Sequence, residues 1–147
     1  MPANSWKLAP GLNNVGSYQV SGTPFASGSI VARASGSSGA TVVRFPAVTK
    51  WVQIEPVNMG GAHLRVAYSQ NGLFGKGTTD AKGGYNFQIH QSSSLRGPMD
   101  VKVGELWFMS ETTDELTFDV VAGLTGIPTE RCKGDVGSSW SGSAGVG

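Results

Sequence analysis

Apolar and polar residues alternate along most of the chain from residue 29 to residue 120. Val52 and Ile54 alternate with Gln53 and Glu55, and Leu64, Val66 and Tyr68 with His63, Arg65 and Ser69. The same beat runs through Tyr85, Phe87 and Ile89, through Met99, Val101 and Val103, through Leu106 and Phe108, and through Leu116, Phe118 and Val120. A period of two, carried by β-branched and aromatic residues, predicts half-buried strands. About eight strands are expected, and no window has the 3.6-residue stripe of an amphipathic helix. Polar residues on one side of each strand imply antiparallel sheets with one wet face. The predicted fold is therefore all-β, a two-sheet antiparallel sandwich. A jelly roll is the leading topology, and an immunoglobulin-like order remains open. The expected core is Val52, Ile54, Leu64, Val66, Phe87, Ile89, Val101, Val103, Phe108, Phe118 and Val120.

The two ends differ from this body. Residues 1–28 are broken by Pro2, Pro10, Pro24, Gly11, Gly16 and Gly22, which oppose helix. They also carry Trp6, Leu8, Leu12, Val15, Tyr18, Val20 and Phe25, more large apolar residues than a disordered linker holds. This predicts an extended N-terminal arm that packs on the domain or on a neighbouring subunit. Residues 29–127 form the predicted sandwich. Residues 128–147 read as a Gly/Ser-rich C-terminal tail with Trp140 as its anchor. Residues 70–84 read as a long loop with Leu73 and Phe74 exposed.

Composition narrows the function. Hydrophobic residues make up 39% of the 147 positions and charged residues only 14%, against about 25% in an average domain. Net charge is +1 with no basic run, so direct nucleic-acid binding is not expected. The single cysteine, Cys132, excludes an intrachain disulfide and reads as a free thiol in a polar tail. The start lacks the basic and apolar regions of a signal peptide, and no apolar run reaches the ~20 residues of a membrane span.

Candidate chemistry is sparse. Residues 72–78, GLFGKGT, depart from the spacing of a phosphate-binding loop and lack its strand-loop-helix setting. His63 and His90 fall on polar sides of their strands and read as solvated, so no metal is expected. Glu111, Asp114 and Glu115 share one turn and cannot straddle a substrate as glycosidase carboxylates do. The serine runs lack a nucleophile elbow. No catalytic residue and no cofactor is assigned, and the chain is expected not to be an enzyme. Trp51 and Trp107 interrupt otherwise polar strand faces. With Tyr68 and Phe74 they invite comparison with a sugar-stacking platform, but coverage by an arm, loop or subunit is the stronger reading.

Four stretches carry a resemblance. They are GLNNVGSYQVSGTPF (residues 11–25), RFPAVTKWVQIEP (residues 44–56), MDVKVGELWFMS (residues 99–110) and VVAGLTGIPTER (residues 120–131). Together they resemble small structural proteins of tailed phages and marine viruses, of the capsid decoration or cement type with a jelly-roll body. The resemblance implies a virion component, made in the host cytoplasm, without activity or cofactor. It implies attachment to the major capsid protein or other virion proteins on the outer shell surface, as a homo-oligomer such as a trimer. The candidate interface residues are Trp6, Tyr18, Phe25, Trp51, Phe74, Trp107 and Trp140. Competing expectations are a receptor- or carbohydrate-binding module of a head fibre or tail, and an accessory domain of an enzyme.

Overall fold

The computed structural model describes residues 11–13, 15–16, 22–35, 40–74, 84–90, 98–134 and 140–147. Among them run seven strands: β1 (Thr23–Ala32), β2 (Thr41–Arg44), β3 (Thr49–Asn58), β4 (Leu64–Ala67), β5 (Asn86–Ile89), β6 (Glu105–Ser110) and β7 (Leu116–Leu124). A five-residue helix, α1 (Gln70–Phe74), follows β4, and a 3-10 turn covers Thr129–Arg131. The strands form two antiparallel sheets, one in the order β1-β7-β3 and one in the order β2-β6-β4-β5.

The alternation decides which side of each strand faces the partner sheet. Val52 and Ile54 of β3 and Phe118, Val120 and Ala122 of β7 point inward from the first sheet. Val43, Leu64, Val66, Leu106 and Phe108 point inward from the second. Phe108 and Phe118 meet across the gap with ring centroids 4.4 Å apart. Of the expected core, Phe87 and Val101 are only half-buried at its margin, and the other nine are buried.

Residues 99–103 keep the predicted alternation without forming a regular ladder. Val52 and Met99 exchange both backbone hydrogen bonds, at 2.9 and 2.8 Å, so the segment runs antiparallel beside β3. Further along, β3 bulges between Thr49 and Trp51. There the buried Thr49 side chain completes the seam. Its hydroxyl donates to the Val101 carbonyl at 2.6 Å and accepts from the Val103 N–H at 3.1 Å, while the Thr49 N–H donates to the Val103 carbonyl at 3.0 Å. Beyond Gly104 the chain enters β6 in the other sheet. Counting 99–103 as an eighth extended segment, first pairs with last, second with seventh, third with sixth and fourth with fifth. The pairs nest like one long antiparallel ribbon folded on itself.

Several expectations change. Strand β1 begins at Thr23, not at residue 29, so Thr23 to Ser27 of the expected arm pair with β7. Phe25 packs against the core, with its ring 5.1 Å from that of Phe45 in an edge-to-face contact. Leu73, expected on an exposed loop, is fully buried. The reason lies on the outer face of the second sheet, where Ala67 and Met109 are apolar and need cover; α1 supplies Leu73 and Phe74. Cys132 is buried with Val48 and Ile127 under Leu12 and Trp140, not in a polar tail. Residues 140–147, part of the Gly/Ser-rich tail, form turns docked on the body. There Ser69 Oγ bonds the carbonyls of Val146 and Gly147 at 2.8 and 3.0 Å.

Candidate functional site

The seven candidate interface aromatics do not form one patch. Trp6 and Tyr18 lie outside the described residues. The remaining five, all half-buried, sit at four places. Phe25 lines the core edge. Trp140 closes the cluster around Cys132 and donates its indole N–H to the Lys102 carbonyl. Phe74, at the end of α1, and Trp107 pack together with Leu73 and Met109 on the outer face of the second sheet. Trp51 stands on the outer face of the first. Tyr68, the fourth member of the imagined sugar platform, packs on the core with its ring 6.2 Å from that of Phe87. The sandwich thus separates Trp51 from Trp107 on opposite outer surfaces, and the platform is not assembled.

Trp107 is explained by its neighbours. Its indole N–H donates to Glu105 at 3.1 Å, and the Arg44 guanidinium lies 5.9 Å from its ring. Arg44 also pairs with Glu105 at 3.3 Å. The Arg44 side chain is largely exposed, so the ion pair contributes little to stability.

Trp51 differs. Register puts Pro24, Gly123 and Trp51 in one row across the first sheet, and Ala26, Val121 and Gln53 in the next. Gly123 has no side chain, and the indole rests over it: a Cβ built there would stand 2.8 Å from Trp51 Cε2. Pro24, Ala26 and Val121 are exposed. Of the carboxylates beside these rows, Glu55 is bonded by Gln53, and Asp119 accepts the Ser29 N–H at 2.7 Å. The result is a largely apolar strip with both nearby carboxylates already engaged.

The second sheet carries a polar row beyond α1. Arg65 pairs with Glu111 at 3.0 Å and donates to Asn86 at 3.3 Å; Gln88 donates to Glu111 at 3.2 Å. Asn86 in turn donates to the α1 carbonyls of Gly72 and Leu73, at 3.3 and 3.1 Å. His63 and His90 meet at the end of this row with ring centroids 4.7 Å apart and planes tilted by 49°. Two buried nitrogens in the row, His63 Nδ1 and Arg65 Nε, have no hydrogen-bond partner. The histidines were expected to be solvated, and the structure instead half-buries both and brings their rings together. Register joins them: once β4 and β5 pair with Leu64 opposite Ile89, His63 must face His90.

A pocket of about 510 Å³ lies between Leu12, Asn13 and Val15 and the segment Asp100 to Lys102, with Lys50 at its rim. Lys102 Nζ donates to the Leu12 carbonyl at 3.0 Å, so this part of the arm rests on its own domain. Burial pushes the Cys132 thiol up to about 11, partly countered by Lys102, which keeps it protonated and weakly nucleophilic.

Among the described residues no helix is long and apolar enough to cross a membrane. No family model, no curated protein and no solved structure matches the chain.

Proposed function

We propose that this chain is a non-enzymatic structural protein of a virion, a capsid decoration or cement protein whose sandwich is a jelly roll. The observation that carries the reading is the nested pairing of first with last, second with seventh, third with sixth and fourth with fifth segments. A ribbon folded this way is the plan of a jelly roll, an architecture recurrent in viral capsid and lectin domains. Architecture alone does not assign function. Two further features support the proposal: the resemblance of the four sequence stretches, and the exposed apolar strip around Trp51, which suits contact with another large surface. The partners on this reading are the major capsid protein and further copies of the chain, with the virion as location.

The test uses purified particles that carry the protein. Quantitative mass spectrometry should return a fixed copy number matched to the capsid lattice, and light scattering of the free protein should return an oligomer such as a trimer. Deletion of residues 1–21 is the useful truncation, because a cut at Ser27 removes half of β1. The shortened chain should stay folded and lose particle occupancy. A monomer absent from particles would refute the proposal. A second reading, a carbohydrate-binding head-fibre or tail module, draws on Trp51 alone as a stacking surface. A glycan array answering to Trp51→Ala would favour it.

A further inference from the structure

The geometry points to His63 and His90 as the two protein ligands of a site for a borderline divalent transition metal such as Zn²⁺, Ni²⁺ or Cu²⁺. The argument begins with an unmatched nitrogen. His63 Nδ1 is shut off from solvent and has no hydrogen-bond partner. A buried polar atom in that state is unfavourable and calls for a partner. In the neutral tautomer protonated on Nε2, Nδ1 presents a lone pair, which is what a metal ion takes from imidazole.

The second ligand is supplied by strand register. His63 immediately precedes β4 and His90 immediately follows β5, and the pairing of Leu64 with Ile89 sets the two histidines opposite each other. Side chains directly opposite in an antiparallel pair begin about 5 Å apart. The spacing of the rings fits shared coordination. With Zn–N bonds of about 2.05 Å, each ring centre stands about 3.2 Å from the ion, so two such rings lie about 4.5 Å apart at a right angle and about 5.2 Å at the tetrahedral angle. The observed separation is 4.7 Å, with the planes tilted by 49°.

Imidazole donors select Zn²⁺, Ni²⁺ and Cu²⁺ over Mg²⁺ and Ca²⁺, which prefer oxygen. Among the described residues no group of three His, Cys, Asp or Glu gathers here. The nearest carboxylate in the row, Glu111, is held by Arg65 and Gln88. With two protein ligands the site is of modest affinity, and water enters as the two rings part to fill the remaining positions on the ion. Its mechanical effect is a clip between β4 and the edge strand β5.

The test titrates the untagged full chain with ZnCl₂ and NiCl₂ by calorimetry, with MgCl₂ alongside. One equivalent of Zn²⁺ or Ni²⁺ should bind while Mg²⁺ gives no heat. His63→Gln and His90→Gln should each weaken binding by about tenfold or more. Because either substitution could disturb the strand end, the unaltered protein is also examined by NMR with substoichiometric Cu²⁺. Paramagnetic broadening should centre on His63, Leu64, Ile89 and His90. Absence of binding up to millimolar metal, broadening centred elsewhere, or wild-type affinity in both variants would overturn the proposal and leave Nδ1 to an ordered water.

Discussion

Replacing Thr49 by valine isolates the seam that closes the ribbon. The substitution keeps the shape of a side chain with no solvent exposure and removes only the hydroxyl. That hydroxyl is the partner of two backbone groups, the Val101 carbonyl and the Val103 N–H. Each orphaned buried group costs about 1–3 kcal/mol. Val101 is half-buried and its carbonyl can recover some solvation, so the expected loss is about 2–4 kcal/mol. For a chain of this size, a loss of 1 kcal/mol lowers Tm by roughly 2–4 °C. Thr49→Val should therefore melt on the order of 10 °C early by calorimetry. Thr49→Ser keeps the hydroxyl and loses one methyl group, costing about 1 kcal/mol. The order of the two variants is the discriminating result, and hydrogen exchange at the Val103 amide localises it: fast in Thr49→Val, protected in Thr49→Ser. If Thr49→Val were as stable as the parent, or less damaging than Thr49→Ser, the hydroxyl would not be holding the seam.

Other outcomes are equally direct. Phe118→Ala removes a fully buried ring that meets Phe108, and urea unfolding should report a loss of about 3–5 kcal/mol. Gly123→Ala puts a methyl group where the Trp51 indole lies, so indole fluorescence should shift toward that of a solvated tryptophan as the ring lifts off. The Cys132 thiol titrates near 11 in the folded chain against an ordinary 9.0, so its protonated form favours the folded state. Stability should hold below pH 9, fall by up to about 3 kcal/mol between pH 9 and 11, and lose this component of its pH dependence in Cys132→Val. Gly72→Ala places a Cβ against the Val146 carbonyl and should release residues 140–147, seen as faster proteolysis at the C-terminal end.

The sheet faces were legible because alternation reports burial directly. Val52, Ile54, Phe118 and Val120 fall where period two puts them. The limits of that signal are equally physical. Alternation survives at Met99, Val101 and Val103, but it cannot say that a threonine hydroxyl replaces part of the ladder. Helix α1 escaped notice because five residues, QNGLF, are too short to show a helical period. Its cues were Ser69, whose hydroxyl caps the Gly72 N–H at 2.9 Å, and the outward apolar Trp107 and Met109 that required cover. The N-terminal half of β1 reads as irregular because Pro24 and Gly28 interrupt it. Both are tolerable on an edge strand, where one row of backbone groups needs no ladder partner. The histidine pair required register, which a sequence without pairing information does not contain.

The pairing of β1 with β7 also sets when the protein can fold. The hydrogen bond from Ser29 to Asp119 spans 90 residues, and among the described residues β1 has no ladder partner in its sheet other than β7. Ribosomes add about 5–20 residues per second, so β1 waits on the order of 5–20 s for its partner to be synthesised. Pairings this distant also raise contact order and slow the search once the chain is complete. During the wait an unpaired strand is open to capture by another chain. Pro24, the irregular register between Ser27 and Ile30, and the positive φ of 54° at Ser29 make β1 a poor template for a stray strand. The irregularities that obscure β1 in the sequence thus guard it on the ribosome, and straightening them should raise aggregation during synthesis more than it changes the folded protein.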